Sequence, residues 1–143
     1  GNSSKEETLT ILNQYGITKG EIEIWGSGTP RRECFWSEDM ADACVHLINL
    51  DYKQYQSLLG ANRNDGVAPV VNIGVGEDLM IKELAEIIKE TIGFKGQIVF
   101  DETKPDGTMR KLLDIERLKK MGSKAQTRLK NGIETVYTAY KNA

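Results

Sequence analysis

Apolar residues recur at helical spacing in several stretches of the chain and alternate or cluster in others. Leu9, Leu12 and Tyr15 share one face of a helix predicted over Ser4–Tyr15, with Gly16 as its stop. Glu21-Ile22-Glu23-Ile24-Trp25 alternates, which predicts a strand with Ile22 and Ile24 on the buried face and Glu23 and Trp25 on the other. Gly26-Ser27-Gly28-Thr29-Pro30 is a turn. Ser37 is the expected N-cap of a helix with Glu38 and Asp39 in its first turn. Met40, Ala43, Cys44, Leu47 and Ile48 form the core stripe of that helix.

Asp51–Ala68 is polar and broken by Gly60 and Gly66, so it predicts a long loop. Val70-Val71-Asn72-Ile73-Gly74 predicts a short buried strand. Met80–Ile92 predicts a helix with Ile81, Leu84, Ala85, Ile88 and Ile92 on one stripe, ended by Gly93. Gln97-Ile98-Val99-Phe100 is a further strand, and Lys104–Lys111 a polar segment. Asp114 is placed to cap a short helix carrying Ile115, Leu118 and Met121. Leu129, Ile133, Val136, Tyr137 and Tyr140 form the stripe of a last helix. Short strands alternating with helices make an α/β fold.

The 143 residues, 39% hydrophobic, suit one domain with a real core. Nineteen Lys and Arg against 21 Asp and Glu exclude a general attraction to nucleic acid or to an anionic membrane. No apolar run reaches the ~18 residues of a spanning helix. Gly1–Lys5 lacks the apolar segment of a secretory signal. The start at Gly1 reads as a residue left by cloning or as the edge of something longer. Cys34 and Cys44 make no disulfide framework, and with the lone His46 they lack zinc-ligand spacing. No metal site is therefore expected, and the reducing cytoplasm is the expected compartment.

Several candidate sites reduce to ordinary structure. Gly74-Val75-Gly76 sits between a strand and a helix as a dinucleotide turn does, but Leu79 stands where a third glycine belongs. It reads as a Gly-rich turn, with weak potential for an anion. Tyr15/Lys19 and Tyr137/Lys141 match the Tyr-x-x-x-Lys spacing of dehydrogenases by chance. Cys34 with His46 is not expected to be a nucleophile pair, Cys44 reads as a small core hydrophobe, and Asp39 and Asp42 read as a solvated first turn.

Two segments keep a functional reading open. Trp25, a Gly-Ser-Gly turn, then Arg31 and Arg32 supply a ring for stacking on a base and guanidinium forks for phosphate. The competing reading is an edge strand with a partly buried Trp and a surface pair such as Arg32–Glu33. Lys104-Pro105-Asp106-Gly107-Thr108-Met109-Arg110-Lys111 places three cations and a carboxylate around a Pro-Asp-Gly turn, either as a nucleotide-sugar loop or as a solvated one.

Three blocks occur in order: Ile24–Glu33 followed by Glu38-Asp39-Met40-Ala41; Asn72-Ile73-Gly74-Val75-Gly76 followed by Glu83-Leu84-Ala85; and Lys104–Asp114. Together they resemble the GDP-L-fucose synthases, which are extended short-chain dehydrogenase/reductases. The resemblance implies that residues 1–143 are a small C-terminal substrate-binding domain. It also implies conversion of GDP-4-keto-6-deoxy-D-mannose to GDP-L-fucose, by epimerisation at C3 and C5 and hydride transfer from NADPH to C4. The family's Rossmann half carries the NADP loop, the Ser/Thr-Tyr-Lys set and the epimerisation Cys and His. None of those blocks occurs here, so neither catalytic residues nor NADP binding is expected on this chain, and it is expected to be inactive alone.

Carried over by position, Trp25 and Arg32 match residues that contact the GDP-sugar, and Asp106 and Lys111 match the loop over the nucleotide. Ser27, Arg31, Gln97 and Arg110 are further substrate-binding candidates. Arg31, Cys34 and Trp36 depart from the family pattern, which leaves the sugar open, and Met80 replaces a common Thr cap. The full-length enzyme is expected to be a homodimer. The alternatives are a free-standing nucleotide-sugar-binding module without catalysis, and the substrate domain of another nucleotide-sugar epimerase or dehydratase.

Overall fold

The alternating segment at Glu21 and the apolar run at Gln97 both become strands, and they pair with each other. A computed structural model of the chain describes residues 4–18, 20–59 and 70–143. Along it run α1 (Lys5–Gln14), β1 (Glu21–Trp25), β2 (Arg31–Arg32), α2 (Ser37–Ile48), α3 (Tyr52–Leu59), β3 (Leu79–Met80), α4 (Ile81–Ile92), β4 (Gln97–Asp101), β5 (Arg110–Lys111), α5 (Glu116–Lys120) and α6 (Leu129–Asn142). This is the expected α/β alternation. The chain divides into two compact units, Gly1–Arg32 with Leu79–Arg110, and Glu33–Asp78 with Lys111–Ala143.

In the first unit, Ser4 caps α1 through a reciprocal pair with Glu7, and Gly16 turns the chain out at φ +72°. β1 and β4 pair in parallel, Glu21 beside Gln97 and Trp25 beside Asp101. Ile22 and Ile24 are the half-buried positions of β1, as its alternation predicts. β2 pairs antiparallel with β3, within a short sheet ordered β3-β2-β5. The Gly26–Pro30 turn caps α4: the Pro30 and Gly28 carbonyls accept from the Ile81 and Lys82 N–H groups, both at 3.0 Å. The Met80 N–H donates to the Glu83 carboxylate at 2.7 Å. The helix start therefore needs no Thr cap, because backbone and Glu83 serve its orphan donors. Gly93 ends α4 in the left-handed conformation, as expected.

In the second unit, Ala43, Ile115 and Leu118 are buried, with Leu47, Val71 and Ile73 packed against them. The buried face of α2 runs through Asp39, Ala43 and Leu47, one position away from the expected stripe. Met40, Cys44 and Ile48 are exposed, so Cys44 is not a core residue. The rotation is explained by Asp39. Its carboxylate accepts from the Gln126 N–H at 2.9 Å, the Thr127 N–H at 2.7 Å and the Thr127 hydroxyl at 3.2 Å. A carboxylate so engaged turns inward, which corrects its reading as a solvated residue. Ser37 is the first residue of α2 rather than its cap, and Trp36 occupies the cap position without a side-chain hydrogen bond.

Residues 70–73 form no strand, and the Asn72 amide donates to the Asp114 carbonyl at 3.0 Å instead of joining a ladder. Part of the expected 51–68 loop is α3, and residues 60–68 lie outside the described residues. Ile115, not the expected Asp114, occupies the cap position of α5, and the Asp114 carboxylate one residue earlier accepts from the Glu116 N–H at 2.9 Å. On α6, Leu129, Ile133 and Tyr137 are half-buried, whereas Val136 and Tyr140 are exposed. Among the described residues, no helix is long and apolar enough to cross a membrane.

Candidate functional site

The carboxyl ends of parallel strands are where open α/β sheets bind ligands. In the first unit, β1 and β4 end side by side at Trp25 and Asp101. Two loops start there, and one carbonyl anchors both: Asp101 accepts from the Gly26 N–H at 2.9 Å and from the Lys104 N–H at 3.1 Å. The Asp101 carboxylate in turn accepts from the Thr103 hydroxyl at 2.5 Å and the Thr103 N–H at 3.0 Å. Those two bonds, the hydroxyl first, hold the Asp101 carboxyl below its ordinary pKa.

The loops meet again at Asp106. Its carboxylate accepts from the Ser27 N–H at 2.9 Å and the Ser27 hydroxyl at 2.7 Å. This close approach explains two glycines. Gly26 and Gly28 both have positive φ, +87° and +70°. A Cβ at Gly26 would strike the Asp106 carboxylate, and one at Gly28 the Phe100 ring.

Trp25 is 70% exposed at this strand end, which excludes the partly buried reading of its ring. The Lys104 ammonium lies over that ring, 5.5 Å from its centroid. Arg32 Nη1 donates to the Arg31 carbonyl at 2.7 Å and the Thr108 carbonyl at 2.6 Å, so the guanidinium is held against the 104–109 loop. Ser27 and Asp106 thus lie on one pair of joined loops, with Trp25 at the end of β1 where the first loop starts and Arg32 on β2 bound to the second through the Thr108 carbonyl. Arg31 lies toward α4, its Nη1 4.0 Å from the Glu83 carboxylate. Gln97 stands at the opposite end of β4 from Asp101, ~13 Å away at the usual strand rise. Arg110 and Lys111 are exposed on β5, Arg110 closing the last segment of the first unit and Lys111 opening the last segment of the second.

The expected Arg32–Glu33 pair does not describe Glu33. In the second unit, Glu33 Oε1 accepts from the Val75 N–H at 2.5 Å and the Gly76 N–H at 2.7 Å. Its Oε2 accepts from the Leu113 N–H at 3.1 Å. The Gly-x-Gly turn therefore does hold an anion, and that anion is the chain's own carboxylate. A Cβ at Gly74 would come within 2.5 Å of Glu33 Oε1, so the glycine lets the carboxylate in.

The remaining candidates are structural. His46 Nε2 lies 2.8 Å from the Met121 carbonyl, and since a carbonyl only accepts, that nitrogen carries a hydrogen. Burial, then the Glu33 charge, push the Cys34 thiol above its ordinary pKa, opposite to what a nucleophile needs. Lys141 stacks on Tyr137 with its ammonium 4.6 Å from the ring centroid, one turn along α6. Lys19 lies outside the described residues. No group of three potential metal ligands occurs among the described residues.

Sequence reasoning missed the bonds of Glu33 and the placement of the Lys104 ammonium over the Trp25 ring. The Asp101-x-Thr103 pattern at a strand end signals the turn that presents Lys104. Nothing local signals the bonds of Glu33, because its three donors lie 42 to 80 residues away.

No family model matches the chain. It is 44% identical over 121 residues to the GDP-L-fucose synthase of Sinorhizobium fredii, covering 85% of this chain and 34% of that protein. It is 38% identical over 117 residues to the GDP-L-fucose synthase of Escherichia coli, covering 82% and 35%. Its fold matches the crystal structure of a GDP-6-OMe-4-keto-L-xylo-heptose reductase from C. jejuni at a TM-score of 0.86 and 36% identity, over 98% of this chain and 39% of that one. The chain spans about a third of the length of the curated relatives it matches.

Proposed function

We propose, from the premise that this chain is related to the GDP-L-fucose synthases of the extended short-chain dehydrogenase/reductases and corresponds to their C-terminal part, that it binds the GDP-linked sugar of such an enzyme. The observation that carries the reading is the joined pair of loops at the carboxyl ends of β1 and β4. An exposed indole and an anchored guanidinium stand there in the first unit. The ring suits a base, and the guanidinium suits phosphate oxygens. Asp106 holds the loops together through Ser27. Lys111 joins the proposal by resemblance, as do the weaker candidates Ser27, Arg31 and Arg110, whereas Gln97 stands at the far end of β4 and is left out.

The whole enzyme would epimerise GDP-4-keto-6-deoxy-D-mannose and reduce it with NADPH in the cytoplasm, as a homodimer. NADP does not fit the Gly-x-Gly turn of this chain, because Glu33 already takes the Val75 and Gly76 N–H groups. The reading therefore leaves NADP to the part of the relatives this chain does not match, and this chain alone turns over no NADPH.

Calorimetric titration with GDP, UDP and dTDP tests the reading. GDP is expected to bind, weakly because the ligand is held by loops on one side only, and in preference to the other two. Arg32→Ala is expected to weaken GDP about 10-fold, as loss of a charged hydrogen bond does. Equal responses to the three nucleotides would exclude a GDP-selective site, and an unchanged GDP affinity in Arg32→Ala would remove Arg32 from it.

A further inference from the structure

Lys104 is one of the three cations flanking the Pro-Asp-Gly turn, and its ammonium lies over the face of the Trp25 ring on which the proposed site depends. Its position is built. The Asp101 carbonyl takes its N–H, and Thr103 fixes the Asp101 carboxylate. The β1–β4 register brings that turn beside Trp25, and the Ser27–Asp106 bonds tie down the other end of the loop. The backbone of Lys104 is therefore placed, while its long exposed side chain keeps rotatable bonds. An ammonium over an exposed indole is held by a weak attraction, one that a phosphate exceeds.

Building on the reading of this site as a GDP-sugar site, we propose that Lys104 is a ligand-binding cation that covers the Trp25 ring in the free protein and moves onto the phosphates of a nucleoside diphosphate whose base takes its place on that ring. Base and ammonium then compete for one face, and the diphosphate decides the competition. A nucleoside without phosphates must displace the cation and gains nothing in return. A nucleoside diphosphate displaces it and gains a charged contact. Lys104 thus discriminates against uncharged nucleosides, a task separate from the anchoring role of Asp106 and the fixed guanidinium of Arg32.

Two ligands and one substitution test this. The Trp25 indole N–H resonance, assigned by its loss in Trp25→Phe, is followed in titrations of the chain with GDP and with guanosine. Lys104→Met keeps the apolar stem and removes the charge. The expected result has opposite signs: GDP binds about 5- to 10-fold more weakly to the variant, and guanosine binds more tightly. A structural role would move both affinities in the same direction. A common direction of change, or an unchanged GDP affinity, would overturn the proposal while leaving the GDP-sugar reading intact. A Trp25 resonance in the unsubstituted chain that does not respond to GDP would overturn both.

Discussion

Replacing Glu33 with Ala removes the one carboxylate that serves the Val75, Gly76 and Leu113 N–H groups. Hydrogen bonds to a charged acceptor contribute ~1.5–3 kcal/mol each, and a stranded buried donor costs a similar amount. Glu33 is half-buried, so water recovers part of this. About 1 kcal/mol per donor, or ~3 kcal/mol in all, is the resulting figure. With a urea dependence of ~2 kcal/mol per molar, the midpoint should fall by ~1.5 M. Far-UV circular dichroism and tryptophan fluorescence, followed together, measure the shift and check that unfolding is two-state. Glu33→Gln keeps one acceptor oxygen but turns an amide NH₂ toward a backbone donor, so its midpoint should lie between the other two. A Glu33→Ala midpoint within ~0.3 M of the parent, at unchanged slope, would show that solvent replaces the carboxylate and that the three bonds do not hold the second unit together.

Asp39 gives a pH-dependent counterpart. The Thr127 N–H, with the Gln126 N–H and the Thr127 hydroxyl, lowers its carboxyl below the ordinary value of 3.8, against the opposing effect of burial. A folded-state value below the unfolded one stabilises fully above pH ~4 and is lost as pH falls through the folded value. The melting temperature of Asp39→Asn should therefore trail the parent near pH ~7, and the gap should close below pH ~4. A gap independent of pH would reject the ionic origin. The cysteines should also separate: Cys44 is exposed, whereas Cys34 is half-buried with a raised thiol pKa. Iodoacetamide should label Cys44 first, as read by peptide mass, and equal rates would contradict the burial argument.

What the chain reveals locally, it reveals well. The alternation of β1 and the stop of α4 at Gly93 depend on neighbours a few residues away, and α1, β1 and α4 lie within a residue or so of their expected bounds. The expected stripe of α4 is half-buried at Ile81, Leu84 and Ala85, whereas Ile88 and Ile92 are exposed and Ile87 and Thr91 turn inward in their place. The errors share another cause. Residues 70–73 look like a strand because they are apolar, but a strand also needs a partner edge, and Asn72 bonds Asp114 instead. The face of α2 is displaced because Asp39 finds donors 87 and 88 residues away, a distance no periodicity encodes. β2, β3 and β5 are two residues each and exist only through their pairing. The site follows the same division. Trp25 and Arg32 stand out by residue type, whereas the bond from Ser27 to Asp106 spans 79 residues.

A turn that receives its anion from its own chain divides one function between two distant stretches of gene. Glu33 and the Val75–Gly76 amides stand 42 and 43 residues apart, and Leu113 is 80 residues from Glu33. Neither half is neutral without the other: the turn alone is an empty receptor, and the carboxylate alone is a charge without a counterpart. A chimera of two relatives joined between Glu33 and Gly74 inherits both halves only when each parent keeps the same arrangement. Crossover points that respect the pair lie before Glu33 or after Leu113.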